Sequence, residues 1–183
     1  MFDDTNVYVA ARLWDSAPES EWVANEMRRD TNQLRQNDTF AAFFDTFYDR
    51  RNGVVFYTNP LGALGDFAIT NEGNPNSDWN PVWDVRTGRF ENGWTVEMEI
   101  PFKSLRYRPG ADQVWGIQLR RTIRRKNELA LLTPVPIAAG SDISAALMLI
   151  CEFAPPYMVM SPAIGIASNQ SYPGSACGIS TIQ

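Results

Sequence analysis

The pair of side chains whose spacing comes closest to a catalytic arrangement is Glu97 and Glu99. They are two residues apart in a segment of alternating polarity, so their Cα atoms would lie roughly 7 Å apart on one face of a strand. Glycosidases use two carboxylates about 5 to 9 Å apart, but those carboxylates flank a substrate and have unlike environments. Two glutamates side by side usually mark a solvated strand face. We therefore expect a non-catalytic protein, with glycoside hydrolysis by this pair as an alternative.

The composition excludes several other kinds of chemistry. The 183 residues include no histidine, which removes the usual zinc ligand, the commonest general base and every Ser-His or Cys-His catalytic arrangement. The net charge of −5 argues against a general nucleic-acid binder, because phosphate contacts need a basic surface. The two cysteines, Cys151 and Cys177, are compatible with a disulfide or with two free thiols. The longest apolar run, residues 143–151, is far shorter than the roughly 20 residues of a membrane-spanning helix.

Residues 92–125 set the expected architecture. Asn92-Gly93 is typical of a two-residue hairpin turn, in which positive φ angles are needed. After this turn, apolar and polar residues alternate until Pro101, which has no amide hydrogen and ends the ladder. A second alternating run follows a short connection, and the two runs indicate an antiparallel sheet packed on an apolar interior. The residues predicted to face that interior are Trp94, Val96, Met98, Ile100, Trp115, Ile117, Leu119 and Ile123.

Turn signals divide the rest of the first 136 residues into further short segments. Alternating or apolar runs predict strands at residues 6–14, 39–47, 53–58, 65–70, 82–90 and 129–134, which makes about eight with the two central strands. Residues 39–47 are aromatic on both faces, as in a central strand. Residues 20–29 have weak helical signals. The sequence therefore predicts an all-β fold, an antiparallel β-sandwich of jelly-roll-like type.

The character of the sequence changes near residue 137, which predicts a division into two regions. We expect residues 1–136 to form the sandwich and residues 137–183 to form an irregular apolar tail. Asp142 and Glu152 are the only charged residues of that tail, and a solvated linker would be more polar. The tail is expected to cover a sheet edge or to fold poorly, and a shifted reading frame is a third explanation.

The order of motifs in residues 2–136 resembles a known family. The motifs are DDTNVYVAARLWDSAPE, NDTFAAFFDTFYDRRNGVVFYTNPLGALGD, WNPVWDV, ENGWTVEMEIPFKSLRY and WGIQLRRTIRRKNE. They resemble the carbohydrate-binding modules of family 9, in the version that fronts large bacterial surface or secreted proteins. The resemblance implies a jelly-roll sandwich that binds a sugar without cutting it, in association with carbohydrate catabolism. It also implies structural calcium in the loops and a periplasmic, outer-membrane-associated or secreted location.

The chain departs from that family pattern at both ends. Relatives carry further strands before the D-D-x-x-V-Y-V motif, and they often continue into a long β-rich region that resembles an outer-membrane barrel. We therefore expect a fragment whose partners are a carbohydrate ligand and the remainder of a longer surface protein in cis. The alternative function is a structural or interaction domain in front of such a barrel-like protein, with no sugar affinity.

Tryptophans are the first candidates for a sugar site, because an aromatic face stacks on the apolar face of a pyranose. Trp79 and Trp83 lie in or beside the polar loop of residues 71–81, where a core role is less compelled than for Trp94 or Trp115. Trp14 ends a strand and suits either role. The sequence therefore predicts stacking on Trp79 and Trp83. The predicted polar contacts to the ligand are Asn59, Asp66 and Arg121.

Arg121 is predicted to share a face with apolar residues, where an unpaired guanidinium would cost several kcal/mol. It must therefore meet a carboxylate or a ligand, and an inward aspartate or glutamate such as Asp45 is favoured. The oxygens that calcium prefers would come from Asp38, Asp45 and Asp49. No dense D-x-D-x-D-G loop is present, so turn and capping roles are the alternative for these three aspartates.

Overall fold

In the computed structural model, the described residues are 1–72, 75–110 and 112–134, together with the backbone of two strands at 147–154 and 157–162. Within these residues the chain forms ten strands in two antiparallel sheets. The strands are β1 (Asn6–Trp14), β2 (Thr39–Asp45), β3 (Gly53–Thr58), β4 (Leu64–Ile69), β5 (Asp84–Phe90), β6 (Gly93–Pro101), β7 (Asp112–Ile123), β8 (Glu128–Leu131), β9 (Leu147–Ala154) and β10 (Tyr157–Pro162). The predicted all-β sandwich is confirmed.

The smaller sheet has the order β1-β6-β5. The β5–β6 hairpin pairs Phe90 with Gly93, and Asn92 supplies the positive φ of 63°. The turn was predicted at Asn92-Gly93, but Gly93 is already the first residue of β6. A Cβ atom on Gly93 would lie 2.3 Å from the carbonyl oxygen of Leu13 and 2.5 Å from the Phe90 ring. Glycine is therefore required there for close packing between strands.

The larger sheet has the order β10-β9-β7-β2-β3-β4, and β8 also pairs with β7. One edge of β7 is bound by β2 along Gly116 to Thr122. The other edge is shared, because β9 pairs with the first half of β7 and β8 with the second half. Strand β7 therefore has neighbours on both edges, in agreement with its long run of buried residues.

The structure corrects one expectation about the central strands. Strands β6 and β7 were predicted to form one antiparallel sheet, but they belong to opposite sheets. The connection between them starts with a 3-10 turn, Phe102–Ser104. The rings of Phe102 and Tyr107 then pack on Trp115 at centroid distances of 6.2 and 5.6 Å. Both strands alternate in polarity because both give their apolar faces to the same interior.

The main core lies between the two sheets. It contains the predicted residues Trp94, Val96, Met98, Ile100, Trp115, Ile117 and Leu119, together with apolar residues of β1, β2 and β3. A second buried cluster lies on the opposite face of the large sheet and includes Leu34, Phe43, Tyr57 and Phe67. Strand β2 therefore has all seven residues buried, which confirms that it is a central strand with apolar side chains on both faces.

Irregular segments connect the strands. Residues 20–29 are not helical as a segment, since the 3-10 turn there spans only Glu19–Glu21. Two further 3-10 turns are Leu34–Gln36 and Arg124–Lys126. In the described part of the chain, no helix has the length and hydropathy of a membrane span.

The boundary predicted near residue 137 stays a prediction. Strands β9 and β10 fall within the region expected to be an irregular tail, and β9 pairs with β7 of the sandwich. The remaining residues of that region, together with Cys177, lie outside the described residues.

Candidate functional site

The structure brings three of the predicted site residues together around Phe56. The Trp83 ring centroid lies 5.2 Å from that of Phe56, and the Trp79 centroid lies 5.6 Å from it. The Trp83 indole N–H donates a hydrogen bond of 2.9 Å to Oδ2 of Asp66. Only 6% of Trp83 is exposed, so its ring faces are covered by protein. Trp79 is half-buried and is the more accessible of the two predicted platforms.

Asp66 is fully buried at the end of this cluster. Its Oδ2 also accepts a hydrogen bond of 2.7 Å from Nη2 of Arg29, which in turn donates to the carbonyl oxygen of Pro81. Its Oδ1 has no hydrogen-bond partner. Burial raises the pKa of Asp66, against the hydrogen bonds from Trp83 and Arg29. Asp66 therefore fastens the polar loop to β4, and it presents no oxygen to solvent.

Asn59 is also buried, and all four hydrogen bonds of its side chain are made inside the protein. Its Nδ2 donates to the carbonyl oxygen of Glu26 and to Oδ1 of Asn37. Its Oδ1 accepts from the amides of Leu61 and Ala63. The amide thus joins the loop before β2 to the turn after β3. In this conformation no donor or acceptor of Asn59 is left for a ligand.

Arg121 meets a carboxylate, but not the expected one. Its Nη2 donates to Oδ2 of Asp15 at 3.2 Å, and its Nη1 donates to the carbonyl oxygen of Trp14. The prediction that Asp45 pairs with Arg121 is wrong, because Asp45 instead accepts hydrogen bonds from three backbone amides of its own loop. Arg121 and Asp15 are 5% and 7% exposed. The pair links the end of β1 to β7.

Asp15 is shared by two guanidinium groups, since Arg125 donates to its Oδ1. Burial raises the pKa of Asp15, but the hydrogen bonds from the Ala17 amide and Arg125 outweigh that effect and leave it below its ordinary value. Burial also lowers the pKa of Arg121, against the attraction of Asp15. Two arginines therefore share one carboxylate beside the end of β1.

An open cleft of about 700 Å³ lies beside this ion pair. Trp14 lines it and is 42% exposed. The Trp14 and Phe90 rings pack in a T-shaped arrangement, with a centroid distance of 5.7 Å and an interplanar angle of 76°. This space, which we call the Trp14 cleft, combines an aromatic ring, aliphatic side chains and charged groups. Its other lining residues are Asp15, Ser16, Arg121, Ile123, Lys126, Glu128, Leu129 and Ala130.

The three aspartates considered for calcium use their oxygens within the protein. Asp38 accepts from the amides of Val23 and Arg124. Asp45 accepts from the amides of Phe47, Asp49 and Arg50. Burial raises the pKa of Asp45, so its charged form is disfavoured.

Asp49 is bound in the same way, by the amides of Arg51 and Asn52 and by the Asn52 side chain. Among the described residues, no group of three or more acidic or cysteine side chains is close enough to hold a metal ion. The three aspartates therefore do not fit a shared calcium site in this conformation. Their hydrogen bonds stabilise the conformation of loops, and calcium binding stays an untested prediction.

Comparison with known proteins finds the same fold in two sugar complexes. The sequence matches no protein-family model and no curated protein. Two solved structures of a family 9 carbohydrate-binding module from Caldicellulosiruptor kristjanssonii are similar to the chain. The complex with cellotriose is 17% identical and covers 80% of this chain and 69% of its own, with a TM-score of 0.51. The complex with glucose is 18% identical and covers 81% and 71%, with a TM-score of 0.53. The fold is that of the family 9 modules. The resemblance drawn from the motifs is therefore confirmed for the fold.

Within this family 9 fold, Glu97 and Glu99 occupy the outer face of the small sheet. Both are exposed. Glu97 is flanked by Ala10 and Arg86, and Glu99 by Tyr8 and Asp84. Neither glutamate lines the Trp14 cleft. The two carboxylates thus share one open strand face and do not flank a common space.

Sequence reasoning placed Trp14 between two roles and did not identify the cleft. The residues that line the cleft come from the end of β1, the end of β7 and the start of β8, which are distant in the chain. One sequence feature did point to it. Trp14 falls on the same side of β1 as Ala10 and Arg12, which are exposed, and opposite Leu13, which is buried. An exposed tryptophan at the end of an amphipathic strand is the pattern that could have identified it.

Proposed function

We propose that this protein is a non-catalytic carbohydrate-binding module that holds a sugar unit in the Trp14 cleft. The observation that carries the proposal is Trp14 itself, which is 42% exposed and lines an open cleft with polar groups around it. A cleft of about 700 Å³ has the size of a small-ligand site. The family 9 fold supports the proposal, since the two similar structures are complexes with cellotriose and glucose.

The chemistry of the cleft suits a pyranose. The exposed indole offers a flat surface for the apolar face of the ring, and burial of that surface provides the main attraction. Phe90 fixes the orientation of the indole before the ligand arrives, which reduces the conformational entropy lost on binding. Ser16, Lys126 and Glu128 supply hydrogen-bond donors and acceptors for hydroxyl groups.

Trp79 is proposed as a second platform, because it is the half-exposed member of the predicted pair. Under this proposal Asp66 and Trp83 support the Trp79 loop from inside, and Asn59 supports the neighbouring turn. Arg121 acts in the Trp14 cleft instead. A role in carbohydrate catabolism, and a periplasmic, outer-membrane-associated or secreted location, are proposed on the resemblance alone. The same holds for attachment to a longer surface protein.

The test is isothermal titration calorimetry of the full chain with cello-, xylo- and galacto-oligosaccharides. We expect Trp14→Ala to weaken the best sugar about tenfold or more, because an anchoring aromatic contact in a cleft is worth at least 1 to 2 kcal/mol. Trp14→Phe should retain part of the affinity. Trp22→Ala is the matched control, since Trp22 is a partly buried tryptophan outside the cleft.

The result also separates the proposal from its alternatives. Unchanged affinity in a folded Trp14→Ala protein would exclude the cleft, and a loss confined to Trp79→Ala would move the site to the second platform. A cooperatively folded protein that binds no sugar would favour the structural or interaction domain. Release of reducing sugar that disappears with Glu97→Gln or Glu99→Gln would show a hydrolase.

A further inference from the structure

The surroundings of the Trp14 cleft are more basic than the rest of the protein. The chain has a net charge of −5, yet residues 120–126 read RRTIRRK and contain five cations in seven positions. This segment is the end of β7 and the 3-10 turn Arg124–Lys126 that leads to β8. Two of its cations, Arg121 and Lys126, line the cleft directly.

The five cations of residues 120–126 outnumber the carboxylates that the described structure shows beside them, which are Asp15, Asp38 and Glu128. In the described structure Arg121 and Arg125 both form their ion pairs with Asp15, and Asp38 adds a weaker electrostatic attraction on Arg121. Lys126 and Glu128 form a long pair of 3.7 Å, and their side chains are 41% and 58% exposed. Exposed pairs of this kind are worth little. The Lys126 ammonium can therefore exchange Glu128 for a better placed anion at small cost.

The Asp15–Arg121 pair is buried beside the cleft, and Arg125 adds a second positive charge to the same carboxylate. Both side chains of the pair are about 95% buried, and the Arg125 side chain is 23% exposed, so salt screens the charges of this cluster less than it screens charges in open solvent. Arg121 and Lys126 both line the cleft, so an anionic group that enters it can approach both cations. Trp14 lines the same cleft, so one ligand can contact all three residues.

We propose that the Trp14 cleft selects a saccharide unit that carries a negative charge, such as the carboxylate of a uronic acid. This inference rests on the proposed function and specifies its ligand class. The sugar ring stacks on Trp14, and its carboxylate accepts a charge-assisted hydrogen bond from Lys126 within the positive potential of Arg121 and Arg125. No bond is made or broken in this step.

The test compares two ligands that differ only in charge. An α-1,4-linked galacturonate trisaccharide and its carboxyl-reduced counterpart are titrated into the full chain at low and high salt. We expect the charged trisaccharide to bind about tenfold more tightly at low salt, with an advantage that shrinks at high salt. The neutral trisaccharide should bind with the same affinity at both salt concentrations.

Two substitutions of opposite sign sharpen the test. Lys126→Gln should weaken binding of the charged trisaccharide about threefold or more, and Glu128→Gln should strengthen it, because Glu128 competes for the same ammonium. The ratio of the affinities for the charged and the neutral trisaccharide should fall with Lys126→Gln and rise with Glu128→Gln, because a lost hydroxyl contact affects both ligands alike. Lys103→Gln and Glu21→Gln are the matched controls, since both residues are exposed and lie outside the cleft.

Each outcome decides between the two proposals. Equal affinity for the two trisaccharides, or a charge preference that survives Lys126→Gln unchanged, overturns the inference and leaves the sugar-binding function standing. Binding of neither trisaccharide overturns the inference, and the wider sugar panel then decides the function. A charge preference that is lost with Lys126→Gln and raised by Glu128→Gln supports the inference. A sulfated galactose trisaccharide that binds as tightly as the galacturonate would support the same anionic class.

Discussion

Asp15 and Arg121 form a buried ion pair of 3.2 Å between the two sheets of the sandwich. Asp15 follows β1 in the small sheet, and Arg121 lies in β7 of the large sheet. Arg121 also donates to the carbonyl oxygen of Trp14. The pair therefore holds the residue that carries the proposed stacking surface, and it sets the charge beneath the cleft.

Removal of Asp15 is expected to destabilise the protein strongly. Asp15→Leu leaves Arg121 buried without a counter-charge, and loss of one partner of a buried pair costs about 3 kcal/mol or more. The double variant Asp15→Leu with Arg121→Met should be less harmful than Asp15→Leu alone, because it leaves no uncompensated charge in the interior. Urea unfolding measures both. A double variant as unstable as the sum of the two single variants would contradict this account.

Asp66 is expected to make stability fall as pH rises. Its pKa is raised above the ordinary value of 3.8 by burial, so the folded protein holds the proton more tightly than the unfolded chain does. Its contribution is therefore most favourable below pH 3.8 and is lost as pH rises through the folded pKa.

The measurement for Asp66 is the free energy of unfolding of the wild type minus that of Asp66→Asn, taken across this pH range. We expect the difference to decrease as pH rises and then to level off. Asp45→Asn should show the same sign, since burial also raises the pKa of Asp45. A difference that increases with pH would mean that the hydrogen bonds from Arg29 and Trp83 dominate the burial of Asp66.

Gly65 is expected to tolerate no side chain while Tyr57 is present. The two residues pair across β3 and β4, and a Cβ atom on Gly65 would lie 2.2 Å from Cζ of the Tyr57 ring. Gly65→Ala should therefore destabilise the protein by about 1 to 3 kcal/mol through overpacking.

A double-mutant cycle separates this clash from a backbone effect. In the Tyr57→Ala background the cost of Gly65→Ala should largely disappear. Gly88→Ala is a suitable control, because the Cβ atom there would meet only the Thr95 hydroxyl, at 2.9 Å, and a hydroxyl can rotate away. If Gly65→Ala destabilises the protein equally without the Tyr57 ring, glycine is required there for its backbone conformation and not to avoid a clash.

Asn59 is expected to affect stability and not ligand affinity. Asn59→Ala leaves the Leu61 and Ala63 amides without their acceptor and the Glu26 carbonyl without its donor, with an expected loss of about 3 kcal/mol. Asn59→Asp keeps the acceptor but loses both donors and buries a charge, so it should also destabilise. Thermal melts and sugar titrations of the same samples give both quantities. A folded Asn59→Ala protein with lost sugar affinity would restore the predicted ligand role.

The strand pattern was predictable because it depends on neighbours in the chain. Trp94 to Ile100 alternate in polarity, and the structure buries the expected side chains. The need of Arg121 for a carboxylate was also predictable, because it follows from burial of a charge. The identity of that carboxylate was not, since Asp45 has its own loop amides to bind and Asp15 reaches Arg121 only through the contact between sheets.

The candidate site was less predictable for the same physical reason. Trp83 has polar loop residues as its chain neighbours, which suggests exposure, but its indole N–H is satisfied by the buried Asp66. Trp14 ends a strand on its less apolar face, a position that suits either burial or exposure, and the structure places it in the lining of the cleft. Periodicity reports the face on which a side chain lies. It does not report what the rest of the fold places against that face.

The placement of β1 and β6 in one sheet has a consequence for the order of folding. The hairpins β2–β3, β3–β4 and β5–β6 join strands that follow one another in the chain, and such contacts close quickly. Strand β1 instead pairs with β6, a strand from the middle of the chain, with Leu13 opposite Trp94. Strand β2 likewise pairs with the distant β7. Non-local pairings of this kind put sandwich domains in the range of about milliseconds to seconds. The small sheet is complete only when β1, the first strand of the chain, pairs with β6. We therefore expect Trp14, at the end of β1, to reach the cleft late in folding.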